Sequence, residues 1–395
     1  MSDIKTTFII LKICQILGMF LISFWVAKSK TDKIYWKRAI VLIFIWSFVD
    51  GLRFGRDQDY NSYYPRFVAM AGGRNPDDYE FLFYYICRLF GFFRLPYWTF
   101  ILAGSSLLIS SCLCLFKDYR SYLPFIVLLM FWDLGQYDNL IRYYWAFPFF
   151  AFAIYYGIHD RRKLSFILII CATQIHNGYY LVMPFVLGYN FLNKPIASPY
   201  LSGGIYFVVL FLGNLGLLQF ISDYAYLLNF LGSSKISDYA DMADSVVNGE
   251  FGYNAGRSVQ SNIITTIRQL IAYLPGILWG RKVMENYKGG LFIYNIFVIG
   301  AITMPLFQKV EILDRLNSLF ICFSCVVNGV LFGKVLKRQM GTTIMYIVCL
   351  VCFLASVLPS FSVLFRRNYD KYMLFLWDAN GREYIPGNCY PMIGQ

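Results

Sequence analysis

Charge is what this sequence lacks most. Charged residues make up 15% of the chain, against about a quarter of a soluble domain. No polar stretch is long enough to form a separate soluble domain, so a water-soluble globule is excluded. Histidine is also scarce, with 2 in the whole chain. There is no Walker-type loop, no GxGxxG turn, no HExxH and no GxSxG elbow. Their absence leaves no support for ATP hydrolysis, a dinucleotide cofactor, zinc-protease chemistry or a serine nucleophile on a strand-to-helix elbow. The 10 cysteines lie nearly all in apolar runs, with Cys389 outside them. Cys322/Cys325 and Cys349/Cys352 have CxxC spacing but neither a polar setting nor further ligands, so they read as packing residues. No metal and no cofactor is implied.

What is present is apolar sequence. Hydrophobic residues reach 58%, and apolar runs near the roughly 20 residues needed to cross about 30 Å of hydrocarbon recur from end to end. The pattern predicts an all-α, polytopic integral membrane protein with about twelve transmembrane helices in a single transmembrane domain over 1–395. The predicted spans are 7–27, 39–54, 95–116, 121–137, 142–158, 164–177, 178–193, 201–220, 258–280, 289–307, 312–332 and 340–358. The stretch 79–93 is apolar and aromatic but short, as suits a re-entrant or interfacial helix. The first run lacks a small-residue cleavage site and reads as an uncleaved span.

The net charge of +12 reports basic loops on one side of a membrane, not nucleic acid. The short loops 28–38, 117–120, 160–163, 281–288 and 334–338, with Lys194, are rich in Lys and Arg and poor in Asp and Glu. They belong on the cytoplasmic side by the positive-inside rule, and both termini then face outward. The longer stretches 55–79, 221–257 and 358–395 fall outside. Lys dominates the inner set and Arg the outer. Topology asks only for positive charge, whereas Arg is preferred where carboxylate or phosphate oxygens are held by a fork. The outer arginines therefore either hold an anionic ligand or pair with the outer Asp and Glu.

Five constellations carry the candidate chemistry. GLRFGRDQDYNSYYPRF, Gly51–Phe67, gathers Arg53, Arg56, Asp59 and Tyr60 where the second span ends, with DDYE and its Glu80 following. It is either a site with a general base beside phosphate-holding arginines or a salt-bridged loop. DNLIRYYWAF places Arg142 at the start of an apolar span, as a snorkelling anchor or an anion ligand. CATQIHNGYY places His176 between two apolar runs, where it is structural or a proton-transfer group. EILDRLNSLF puts Arg315 at the outer start of a span. Arg268, in SNIITTIRQLIAYLPG, falls near mid-membrane, where charge is expensive and faces a cavity, or one turn away at the interface. Aromatics, at 20%, suit membrane interfaces and stack on sugar rings.

In order, these elements resemble a family. GRDQDYNSYY is similar to its acidic "GxDYxxY" element, DYEFLFYY carries the following Glu, and IRYYWAF stands for "IRQxxA". IHNGYYL stands for an "HxSA"-like element, and DRLNSLF for a late arginine element. Tyr143 replaces the usual Gln, and Asn177–Gly178 the small residue after His. The chain resembles the EpsG-like, Wzy-type polysaccharide polymerases of bacterial inner membranes over roughly 50–189 and around Arg315. That resemblance implies a glycosyltransferase that polymerises undecaprenyl-diphosphate-linked repeat units at the periplasmic face of the cell inner membrane, building O-antigen, capsule or a related polysaccharide such as that of lipopolysaccharide. It implies His176, Asp59 and Arg142 as catalytic residues and Arg53, Arg56, Tyr60, Glu80, Arg268 and Arg315 as substrate-binding ones. Its partners would be lipid-linked oligosaccharides, membrane lipid and a chain-length regulator. A lipid-linked oligosaccharide flippase and an O-antigen ligase are the alternatives.

Overall fold

The computed structural model describes residues 2–76, 78–134, 139–214, 259–307, 311–366 and 374–385. The stretch 221–257, Asp77 and Cys389 lie outside the described residues. Among those described, every regular element is a helix, and the single β-bridge joins Arg53 to Phe375.

The described residues form two compact units. The first comprises Met1–Tyr189 with Val357–Gln395, and the second Asn190–Ser356. In the first unit the order is α1 Ser2–Ala27, α2 Asp32–Trp46, a π-turn Ser47–Gly51, α3 Asp57–Ala71, α4 Phe81–Phe92, α5 Tyr97–Phe116, α6 Leu123–Asp133, α7 Ile141–Ile158, α8 Arg162–Thr173 and α9 Met183–Leu187. A short α10, Tyr189–Leu192, leads onward. The second unit holds α11 Pro199–Asn214, α12 Val259–Met284, α13 Gly290–Phe307, α14 Glu311–Ile321 and α15 Ser324–Leu336. α16, Thr343–Arg366, carries the chain from the second unit back into the first.

Among the described residues, five helical stretches are long and apolar enough to cross a membrane: Thr6–Ala27, Tyr97–Phe131, Ile263–Met284, Gly290–Phe307 and Leu313–Leu336. Phe81–Phe92, Pro199–Leu212 and Thr343–Leu358 are apolar but shorter. This is a helical membrane protein. Several predicted spans are shorter or interrupted. α8 has 12 residues, a rise of about 18 Å. The predicted span 178–193 is divided among a 3-10 turn, α9 and α10, with Pro184 and Gly188 interrupting it. Conversely, the stretch 55–79, which reads as an outer loop in sequence, contains the fifteen residues of α3.

Packing explains the arrangement. α5 lies against α7, and α7 against α8. At Gly104 a Cβ would stand 2.7 Å from the Trp145 ring, so glycine there lets α5 and α7 close. The Trp145 ring stacks on Phe100 at 4.7 Å, which continues an aromatic core through Tyr97, Phe67 and Tyr60. α1 and α2 are joined by a tight turn in which Thr31 caps α2 by accepting from the Ile34 amide. In the second unit, α12 turns Gly276 and Gly280 onto α13 and α15, and a Cβ at Gly280 would stand 2.5 Å from Val327. Small residues four apart let membrane helices approach closely.

Two charge clusters mark opposite ends of α7. At its C-terminal end Asp32 accepts from Lys117 at 2.7 Å and from Arg120 at 2.9 Å, and His159 pairs with Asp118 at 3.2 Å. The Lys117 hydrogen bond holds the Asp32 carboxyl below its ordinary value, with Arg120 adding to the effect. The other end carries the candidate site.

Candidate active site

The site grows from the ends of four elements of the first unit. Arg142 lies in the first turn of α7 and meets Glu80, which precedes α4, at 2.5 Å. The other Glu80 oxygen accepts the Asn177 amide at 3.0 Å. The guanidinium also lies over the Tyr79 ring at 5.0 Å. Glu80 thus ties the start of α7 to the turn after α8, and the Gln174 carbonyl fastens that turn by accepting the Leu82 and Phe83 amides. A carboxylate and an Arg with side-chain exposures of 9% and 19% are too buried for a solvated surface pair.

His176 stands in this turn, half-buried. Its Nδ1 accepts the Gly178 amide at 3.0 Å. A neutral ring with Nδ1 so occupied carries its proton on Nε2 and is a donor there. The ring packs edge-on to Tyr143 at 5.7 Å, and Tyr179 locks that neighbour by donating to the Tyr143 carbonyl at 2.9 Å. In this geometry a neutral His176 ring offers a proton at Nε2.

α3 brings Asp59 and Tyr63 to the same end. The Asp59 amide donates to Asn139 Oδ1 at 3.4 Å, just before α7, and the residue is half-buried. Burial pushes the Tyr63 phenol above its ordinary value, Arg142 pulls it back, and Asp59 and Glu80 push it further. One phenol thus feels Arg142, Asp59 and Glu80 together.

Arg53 lines a small cavity between α5 and α7, with Ile101, Gly104, Ser105, Leu108, Ile141, Tyr144 and Trp145. Ser105 Oγ is buried there with no hydrogen-bond partner among the described residues. Arg56 is different. It is 2% exposed and packed between the Phe8 and Phe375 rings at 4.9 and 4.4 Å. It donates to the carbonyls of Val49 and Leu374. These contacts make Arg56 part of the packing, not of the cavity wall. Tyr60 is also core, 1% exposed and edge-on to Phe54 and Tyr97. Protein atoms enclose both side chains in this structure. Arg268 and Arg315 stand half-buried on α12 and α14 of the second unit.

The sequence reading missed three residues. Asp50, fully buried in the π-turn, pairs with Lys12 of α1 and accepts from Gln15 of the same helix. Arg56 approaches the same carboxylate at 3.7 Å. The signal was a lone Lys in the first predicted span and a lone Asp in the second, which is how intramembrane partners announce themselves.

The EpsG family matches residues 33–373. The chain belongs to the EpsG family. The match runs from the second residue of α2 into the stretch after α16 and takes in Arg53, Arg56, Asp59, Tyr60, Glu80, Arg142, His176, Arg268 and Arg315, while Lys12 and Gln15 of α1 precede it. EpsG proteins are polysaccharide polymerase-like membrane proteins, so this chain is at that level a glycosyltransferase-like membrane protein of polysaccharide synthesis. No curated protein sequence matches it. No solved structure matches it.

Proposed function

We propose that this EpsG protein polymerises undecaprenyl-diphosphate-linked oligosaccharide repeat units into O-antigen or a related surface polysaccharide. The reading places it in the bacterial inner membrane, with about twelve helices crossing or entering the bilayer. Both termini and the Arg142 end of α7 then face the periplasm. The observation that carries the reading is the family match over residues 33–373. Two arginines of the first unit supply its chemistry. Arg53 lines a cavity, and Arg142 is held beside His176 through Glu80.

The step balances without a metal. The acceptor sugar hydroxyl oxygen bonds to the anomeric carbon of the donor chain. The bond from that carbon to the diphosphate oxygen breaks, and the electron pair leaves with the diphosphate. Charge develops on that leaving group, and fixed guanidinium and N–H donors stabilise it best where water is excluded. Arg53 with Ser105, Arg142, and the Nε2–H of His176 fill that role. The hydroxyl proton passes to Asp59, a half-buried carboxylate at the same helix ends. Arg315 and Arg268 are assigned to holding the lipid-linked substrates.

The test uses purified protein in vesicles with undecaprenyl-diphosphate-linked repeat units. Lengthened lipid-linked products support the proposal. Transfer of the glycan to a different lipid acceptor would make it a ligase, and movement across the bilayer without bond formation a flippase.

A further inference from the structure

The buried ion cluster on Asp50 has no part in bond making, yet it sits directly behind the cavity-lining Arg53. Asp50 is 0% exposed and Arg53 4%. The Asp50 carboxylate is engaged on one side by Lys12 and Gln15 of α1. On another it faces Arg56, itself wedged between Phe8 and Phe375. The backbone of the same residue does something else: Arg53 Nη1 donates to the Asp50 carbonyl at 2.8 Å. Side chain and main chain of one residue therefore join α1 to the Arg53 guanidinium.

The backbone between them is unusual. Ser47–Gly51 forms a π-turn at the end of α2, a form that is rare and frequent at functional sites. It also lies hard against α5. A Cβ on Gly51 would meet the Leu102 side chain at 2.7 Å and its Cα at 3.2 Å. One turn further along α5 come Gly104 and Ser105, which line the cavity with Arg53. A shift of the π-turn therefore moves Arg53 relative to the cavity wall.

We propose that Asp50 is a positioning residue. Its carboxylate, clamped by Lys12 and Gln15, fixes the π-turn so that the Asp50 carbonyl holds Arg53 at the cavity. This rests on the polymerase reading for its catalytic consequence, but not for its structural one. Burying a carboxylate and an ammonium is costly unless each satisfies the other, so removing the Asp50 charge strands Lys12 and loosens the cluster.

The experiment compares Asp50→Asn, Asp50→Glu, Arg53→Ala and the double variant Asp50→Asn/Arg53→Ala. Hydrogen exchange on the purified proteins follows amides 47–56, and turnover is measured on lipid-linked repeat units. Asp50→Asn is expected to lose protection across 47–56 and to lower turnover by roughly 10–100-fold, the scale of a misplaced catalytic contact. Asp50→Glu recovers part of both. In the Arg53→Ala background Asp50→Asn costs less than about twofold more, because the group it positions is gone. Unchanged protection in Asp50→Asn, or effects of the two substitutions that multiply, would overturn the proposal. If Asp50→Asn does not fold, Lys12→Met/Asp50→Asn removes both charges together and replaces it in each comparison. If the wild type lengthens nothing, the polymerase reading fails by itself, and the exchange measurement still decides the role of Asp50.

Discussion

The Arg142–Glu80 pair permits a quantitative test of the site. Consider Glu80→Gln, Arg142→Gln and the double variant. The pair is close, 2.5 Å, with side-chain exposures of 9% for Glu80 and 19% for Arg142. An exposed pair contributes about 0–1 kcal/mol, whereas removing one partner of a buried pair costs about 3–5 kcal/mol by stranding the other charge. These exposures lie near the buried limit but short of it, so each single substitution should cost about 2–4 kcal/mol. Gln at 80 can still accept the Asn177 amide through its Oε1, so the loss reports the charge and not the turn. The double variant strands nothing. It should be less destabilised than the sum of the singles, with a coupling of about 1–3 kcal/mol. Reversible unfolding in detergent measures all four proteins. Chain growth separates stability from chemistry: the double variant regains stability but makes no polymer, because Arg142 is absent. A coupling under about 0.5 kcal/mol, the scatter of independent sites, would refute the pairing and with it the idea that Glu80 holds Arg142 and the His176 turn together.

Other consequences are direct. His176→Asn keeps an acceptor for the Gly178 amide but loses the Nε2 donor, so it should fold normally and slow chain growth by about 10²–10⁴-fold, read from polymer ladders in cells. Gly104→Val places side-chain atoms within the Trp145 contact at 2.7 Å; it should cost about 1–3 kcal/mol and shrink the Arg53 cavity, lowering turnover more than melting temperature. Gly55 has φ +59, and its Cβ would run into the Ile385 side chain, so Gly55→Ala should cost about 1–2 kcal/mol for the left-handed backbone and speed proteolysis of the C-terminal tail. Asp32 is held low by Lys117, so its pairing contributes above the ordinary carboxylate pKa and is lost as pH falls through the lowered folded value. Lys117 is raised, so its share is present below the ordinary lysine value and lost only in stronger alkali. The Asp32→Asn difference in unfolding free energy should then be small, under about 1 kcal/mol, flat from about pH 5 to 9, and shrink as pH falls below about 4 and through the lowered folded value.

The helical membrane class was legible because hydrophobic burial in lipid demands long apolar runs, and such runs are visible one residue at a time. Helix length was less so. The run 178–193 is largely apolar, but Pro184 and Gly188 divide it into short pieces, and α3 escaped because Asp57–Ala71 is too polar to stand out in a search for apolar spans. The site was half legible for a related reason. Arg142, Glu80 and His176 stood out as rare polar groups beside apolar runs, and the fold joins them. What sequence could not supply was direction. Arg53 and Arg56 are three residues apart in one motif. Their fates separate because a π-turn, which no residue pattern announces, precedes them, and because a tail more than 300 positions away brings Phe375 and the Leu374 carbonyl onto Arg56.

That separation bears on how an enzyme can hold an anion inside a membrane protein. A guanidinium that must meet a diphosphate only during turnover needs a fixed position while its ligand is absent. In this chain that task falls on neighbours of like chemistry. Glu80 neutralises Arg142 and fixes the His176 turn. Asp50 is neutralised by Lys12 and gives Arg53 its carbonyl rather than its carboxylate. The difference has a consequence. A carboxylate on Arg142 must be displaced or shared when a phosphate arrives, so binding there is a competition. A carbonyl on Arg53 leaves the cation's charge unneutralised by that contact. On the proposed polymerase reading, a phosphate reaching Arg142 meets a carboxylate already on that guanidinium, whereas the Asp50 contact of Arg53 is to a neutral carbonyl.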